Sequence, residues 1–134
     1  MSATGAEAEI RPMPRYRPLL LGLATLAACE GPEPPAHQRI VDGDPRFGRT
    51  VVAAYGCTAC HQIPGIKQPT GSVGPSLAGF GRRAYIAGRL PNRPAMLTAW
   101  LLDPPAIDPA TAMPAQGLSE TEARDVAAYL YTLR

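Results

Sequence analysis

An all-α domain is the fold that this 134-residue chain predicts, and three observations carry the expectation. Three stretches repeat apolar residues at the helical period and are bounded by capping residues. No stretch alternates with period two for long enough to make a strand. Sixteen prolines and thirteen glycines leave much of the remainder to loops. The length suits one domain with extras, since domains cluster at roughly 100–150 residues. A formal charge of +2 is too small to suggest a nucleic-acid partner.

In chain order, residues 1–28 read as a targeting segment. Arg11, Arg15 and Arg17 precede an apolar run, Leu19 to Ala28, that stops at Cys29. The run is too short for a bilayer core, which takes about 20 helical residues, and it suits the apolar region of an export signal. Glu7 and Glu9 make the leading part unusual. A start at Met13 gives a more ordinary basic region, so Met13 is expected to be the initiator. Residues 29–43 then read as a proline-rich linker, with His37 as a solvated side chain inside it.

The folded domain is expected over residues 44–134. Its first helix opens with Asp44 as cap and Pro45 at the first helical position. It runs to Gly56 on a stripe of Phe47, Val51, Ala54 and Tyr55. The second spans about Arg93 to Leu102, with Asn92 as cap, an apolar face of Leu97, Trp100 and Leu101, and Pro104 and Pro105 ending it. The third follows Ser119, which with Glu122 forms a capping box. Its apolar stripe is Val126, Tyr129, Leu130 and Leu133.

Three short helices with long loops bury little apolar surface, and domains so built usually need a cross-link, metal or cofactor in the core. The loops at about 57–92 and 103–118 are long enough to imply that they wrap something. Cys57, Cys60 and His61 in "YGCTACHQ" supply the candidate. A thioredoxin-like redox pair would open a helix after a strand, whereas these cysteines follow a helix. A structural zinc site needs four ligands; these residues supply three at most, and no cysteine or histidine follows His61. A plain disulfide leaves His61 without a role. C-x-x-C-H is also the attachment motif of c-type haem. The export signal, the helical pattern and the thin core favour that reading, with His61 as the proximal iron ligand.

On that reading the far axial ligand is sought among the methionines, because no histidine follows His61. Met1 and Met13 lie in the leading segment, and Met96 reads as a packing residue of the second helix. Met113 lies in a loop bounded by Pro104, Pro105, Pro109 and Pro114, where no helix is expected. A rigid loop suits a thioether ligand. Two filled axial positions favour electron transfer over oxygen binding.

These features together resemble a mono-haem, class I cytochrome c, in the order helix, C-x-x-C-H, "GPSLAGFGRR", middle helix, methionine loop and C-terminal helix. The resemblance implies one covalent haem c held by Cys57 and Cys60, with iron ligands His61 and Met113. It implies that the Pro75 carbonyl accepts from His61 Nδ1, that Arg82 meets a haem propionate with help from Tyr85, and that Trp100 lies beside the methionine. Gly48 and Tyr129 match the pair at which the first and last helices cross. Few lysines are present, so the family's partners do not carry over directly. Separately, "LAAC" before and at Cys29 resembles a bacterial lipobox, which implies lipidation of Cys29; a plain signal peptide is the alternative.

The expected function is an electron carrier at the periplasmic side of a bacterial membrane, anchored through Cys29 or else soluble there. It takes redox proteins as partners: a quinol-oxidising complex or dehydrogenase as donor, a terminal oxidase as acceptor. As a carrier it is expected to be no enzyme and to take no small-molecule substrate. The alternatives are a fixed cytochrome c subunit of a membrane oxidoreductase or oxidase complex, and a haem sensor or peroxidase-like protein. Between Pro45 and Leu102 the chain has Arg46, Arg49, Lys67, Arg82, Arg83, Arg89 and Arg93 but no acid. That pattern implies either an acidic docking surface on the partner or a generally solvated basic face.

Overall fold

The computed structural model describes residues 33–67 and 71–134. Four helices, α1 (Pro45–Ala54), α2 (Pro94–Leu102), α3 (Pro104–Ile107) and α4 (Glu120–Thr132), carry nearly all its regular structure. The expected all-α class therefore stands. A hairpin of two-residue strands, β1 (Tyr85–Ile86) and β2 (Leu90–Pro91), pairs Ile86 with Leu90. Strands this short show no readable alternation, so the sequence pattern misses them.

The first helix starts as the sequence implies. Asp44 accepts from the backbone N–H of Arg46 (2.7 Å) and Phe47 (3.3 Å), with Pro45 next to it. Its buried face differs from the expected stripe: Gly48, Val51 and Val52 are buried, whereas Phe47 is 51% exposed and Ala54 is exposed. The cause is the partner helix. A Cβ on Gly48 would lie 2.0 Å from the Asp125 carbonyl oxygen, so α1 meets the backbone of α4 at this glycine. The crossing thus falls at Asp125, one turn before Tyr129. Asp125 is itself buried, and its Oδ1 accepts from Asp44 N–H at 2.7 Å. One carboxylate so ties the cap of α1 to α4.

The last helix holds its capping box: Ser119 Oγ accepts from Glu122 N–H, and Glu122 Oε2 accepts from Ser119 N–H at 2.9 Å. Ala123 and Asp125 to Tyr131 are all buried, so α4 is enclosed on more sides than a single stripe provides. It packs on α1, on α2 and on the 3-10 turn Phe80–Arg82.

Two further expectations change. Asn92 does not cap α2; Arg93 occupies the cap position, without a side-chain bond. Asn92 is buried instead, and its Nδ2 donates to the carbonyls of Phe80 (3.2 Å) and Arg83 (3.0 Å). The proline pair ends α2 but opens α3, since both prolines occupy first-turn positions that need no N–H and Asp103 accepts from Ala106 N–H at 3.1 Å. Part of the segment read as linker also packs. The 3-10 turn Ala36–Gln38 buries Gln38, whose Oε1 accepts from Arg134 Nη2 at 2.6 Å, while His37 is exposed. Residues 1–32, including Cys29 and the leading segment, lie outside the described residues.

Candidate functional site

Helix α1 ends at Gly56, whose φ of +66° reverses the chain without the penalty a Cβ would bring. The 3-10 turn Cys57–Ala59 follows, and His61 N–H donates to the Cys57 carbonyl at 3.0 Å. A second stretch, Gly71 to Leu77, lies along this turn. Gly71 N–H donates to Thr58 O (2.9 Å), Gly74 N–H to Cys60 O (2.9 Å) and Leu77 N–H to Gln62 O (2.8 Å). Contact is so close that a Cβ on Gly71 would lie 1.8 Å from Ala59 O. A Cβ on Gly74 would lie 2.4–2.9 Å from three atoms of the His61 ring. The glycines therefore make room for the imidazole.

The ring is held by one directed bond. His61 Nδ1 lies 2.7 Å from the Pro75 carbonyl oxygen. A carbonyl only accepts, so Nδ1 carries the proton and Nε2 keeps its lone pair. That is the arrangement in which a histidine can ligate a metal through Nε2.

Beside the ring lies an apolar cavity of about 250 Å³. Val52 of α1, Leu97, Trp100 and Leu101 of α2, and Val126 and Leu130 of α4 contribute its helical wall. Seven of the residues singled out in the sequence line it together: Cys57, Cys60, His61, Pro75, Tyr85, Trp100 and Met113. Met96 packs against the core and is absent from the lining.

Arg82 is the exception. It is exposed, lies against Gly79 and is absent from the lining, where Arg83 stands instead. The 3-10 turn Phe80–Arg82 ends between them, so the two arginines leave the backbone in different directions. Arg83 Nη2 donates to the carbonyls of Ser76 and, at 3.0 Å, Ala78, and its guanidinium lies 5.7 Å from the Phe80 ring centroid. Arg83 thus braces the segment that carries Pro75. The sequence showed two adjacent arginines; only the phase of the turn distinguishes them.

Neither Cys57 nor Cys60 is in a disulfide. Burial pushes the Cys57 thiol up. Among the described residues no group of three or more His, Cys, Asp or Glu side chains converges on a metal position. A four-ligand zinc site is therefore not assembled among the described residues.

The methionine loop is held differently. Asp108 Oδ1 accepts from Ala110 N–H (3.2 Å), and the Asp108 carbonyl accepts from Thr111 N–H (3.0 Å). Thr111 Oγ1 accepts from Met113 N–H at 3.2 Å, setting the methionine backbone at the cavity. Asp108 also pairs with Arg89, in the hairpin turn. Nothing in the sequence pattern linked these two residues.

The donors fit a haem. Two unpaired cysteines, a histidine with an unprotonated nitrogen and a thioether line one apolar cavity, with glycines where a Cβ would displace the imidazole. A helical domain with this lining is of the haem-binding class. The model of the cytochrome c family matches residues 46–134, and the chain belongs to that family. Membership implies that it binds haem c and takes part in haem-based electron transfer. The chain is also 37% identical over 89 residues to the cytochrome c oxidase subunit 2 of Alkalihalophilus pseudofirmus, covering 65% of this chain and 25% of that protein. It spans about a quarter of the length of this relative.

Proposed function

We propose that this protein is an electron carrier with one covalently attached haem c, working between respiratory partners at the periplasmic side of a bacterial membrane. The observation that carries the reading is the convergence of Cys57, Cys60, His61 and Met113 on one apolar cavity. In this reading Cys57 and Cys60 would hold the haem through thioether links, and His61 Nε2 and the Met113 sulfur would hold its iron. When bound, the haem supplies a one-electron iron couple.

The chain's own residues orient and shield. Pro75 holds the His61 proton on Nδ1, and the glycines at 71 and 74 admit the ring. The apolar helical wall excludes water and disfavours added charge, which raises the potential. Tyr85, 57% exposed at the cavity lining, is suited to the mouth through which electrons pass. Trp100 is buried in the wall of the cavity that Met113 also lines.

The protein in this reading makes and breaks no substrate bond, so it is not an enzyme and takes no small-molecule substrate. Its partners are redox proteins: a dehydrogenase or quinol-oxidising complex, and a terminal oxidase. Of the basic run, Arg49 donates to Gly65 O, Arg83 to two carbonyls, and Arg89 pairs with Asp108. Lys67, Arg82 and Arg93 remain exposed, which supports an acidic docking surface on a partner. Lipidation of Cys29 supplies the anchor; a soluble periplasmic form is the alternative. Among the described residues no helix is long and apolar enough to cross a membrane.

The similarity to an oxidase subunit 2 favours a second reading, a cytochrome c subunit or domain fixed within an oxidase complex. Salt-sensitive, roughly micromolar binding to a partner supports the carrier. Co-purification through detergent and high salt supports the subunit. The first test is expression with haem-maturation machinery, followed by intact mass and the reduced absorption spectrum. One haem of added mass is expected; a polypeptide mass without it ends the proposal, and acyl chains appear in the same measurement.

A further inference from the structure

We infer that Arg89 and Asp108 form a latch that keeps the Met113 loop closed on the cavity. This deepens the proposed function and rests on Met113 being the far axial ligand. The hairpin makes the latch. Ala87 and Gly88 both have positive φ (+48° and +76°), and Arg89 N–H closes the turn on Ile86 O at 3.1 Å. Two left-handed residues give the tight turn whose twist suits a two-strand ribbon. Ala87 accepts a conformation that ordinarily favours glycine, while lining the cavity beside Ile86.

That turn presents Arg89 to the start of the methionine loop. The Arg89 guanidinium pairs with Asp108 Oδ2, and the Asp108 Oδ1 is already engaged by Ala110 N–H. Asp108 is mostly buried (side chain 19% exposed) and Arg89 mostly exposed (66%). A carboxylate so placed cannot easily rotate toward water, because doing so breaks the local turn. From Asp108 the connection to the ligand is short. Its carbonyl accepts from Thr111 N–H, and Thr111 Oγ1 accepts from Met113 N–H. The chain of contacts is thus hairpin, ion pair, loop turn, ligand backbone. Arg89 and Asp108 are positioning residues, acting on the ligand through the loop.

The latch matters because, beside the partial burial of Met113 and Leu118, no other described side-chain bond ties this loop to a distant segment. Asp108 N–H donates to the Pro104 carbonyl of α3 at 2.9 Å, and beyond it, as far as Leu118, the described hydrogen bonds are local, each spanning two or three residues. A loop held in part by a partly exposed ion pair opens more often when that pair is removed, and opens more at high salt. An open loop withdraws the thioether and lets an external ligand reach the iron.

The test uses the haem-loaded protein and the rate at which carbon monoxide binds its reduced form. Met113→Ala calibrates the assay: fast binding relative to the unmodified protein is expected. No change there overturns the ligand assignment beneath the proposal, separately from the latch. With that control passed, Arg89→Gln and Asp108→Asn should each speed binding about three- to fivefold, the upper range for a partly exposed pair. The double variant should be no faster than either single one, and Arg89→Lys should keep the unmodified rate within about twofold. Raising salt should speed the unmodified protein and leave Arg89→Gln unchanged. Single variants with unmodified rates overturn the latch, as do single effects that add in the double variant.

Discussion

The two sides of the cavity are built from different materials. On the histidine side, Gly71 to Leu77 is joined to the Cys57–Gln62 turn by three backbone hydrogen bonds of 2.8–2.9 Å, and glycines bring the backbones into direct contact. On the methionine side, Asp108 to Leu118 is bonded mostly within itself and reaches the rest of the molecule through the Asp108 N–H bond to Pro104 O, the Arg89–Asp108 pair and partial burial of Met113 and Leu118. A backbone ladder has no rotamers to lose and is shielded from salt, whereas an ion pair is screened and has side-chain entropy to overcome. The histidine side should therefore be the rigid anchor, and the methionine side the part that opens.

The largest expected effect breaks the anchor. Gly74→Ala places a methyl carbon inside the His61 ring space, where the nearest atoms stand at 2.4–2.9 Å. Either the ring leaves Pro75 or the 71–77 stretch shifts. We expect a loss of about 3 kcal/mol or more, with poor haem retention, measured by urea unfolding and by the haem absorbance per protein. Unchanged stability would remove the distinction between the two sides.

Met113→Ala comes next and separates ligation from folding. Haem content should persist, because the other three donors remain, while the reduction potential falls by on the order of 0.1 V, read by redox titration. A potential within a few millivolts of the unmodified protein excludes Met113 as ligand.

The remaining two predictions sharpen the role of α4, which supports both sides. Glu122 is held below the usual carboxylate range by the Ser119 backbone N–H, then by the Ser119 hydroxyl and by Tyr55. Tyr55 Oη donates to Glu122 Oε1 at 3.0 Å, two residues before Cys57, so the cap of α4 is tied to the haem turn. A depressed folded value contributes stability above the ordinary pKa of about 4.3, and that stability is lost as pH falls through the lower folded value. Urea midpoints taken from pH 6 to pH 3 should fall less steeply for Glu122→Gln. Equal slopes refute it.

The smallest effect concerns Tyr131, which is fully buried with its hydroxyl unpartnered among the described residues. Burial pushes its phenol up to about 12. The unfolded phenol ionises near 10, so stability declines from about pH 10 upward until the folded group also ionises. Tyr131→Phe should remove that decline and add about 1 kcal/mol at neutral pH, by removing an unsatisfied buried hydroxyl. A loss of stability there would mean that the hydroxyl has a partner.

The sequence by itself determined what local chemistry dictates. Asp44–Pro45 and Ser119–Glu122 are caps legible within four residues, and helices begin at both. The C-x-x-C-H spacing and the want of a later histidine brought Cys57, Cys60, His61 and Met113 forward, and they share one cavity. The tertiary structure decided whatever depended on a partner distant in sequence. The approach of Gly48 to Asp125, not the helical period, chose which face of α1 is buried. The carbonyls of Phe80 and Arg83 drew Asn92 away from the cap of α2. The phase of one 3-10 turn put Arg83, and not Arg82, on the cavity wall. Arg89 and Asp108, 19 positions apart and in no common motif, meet only in the fold. Caps and attachment motifs are short-range and so can be read along the chain; helix crossings, buried amides and ion pairs are contacts between segments, and they exist only once the chain has closed on its core.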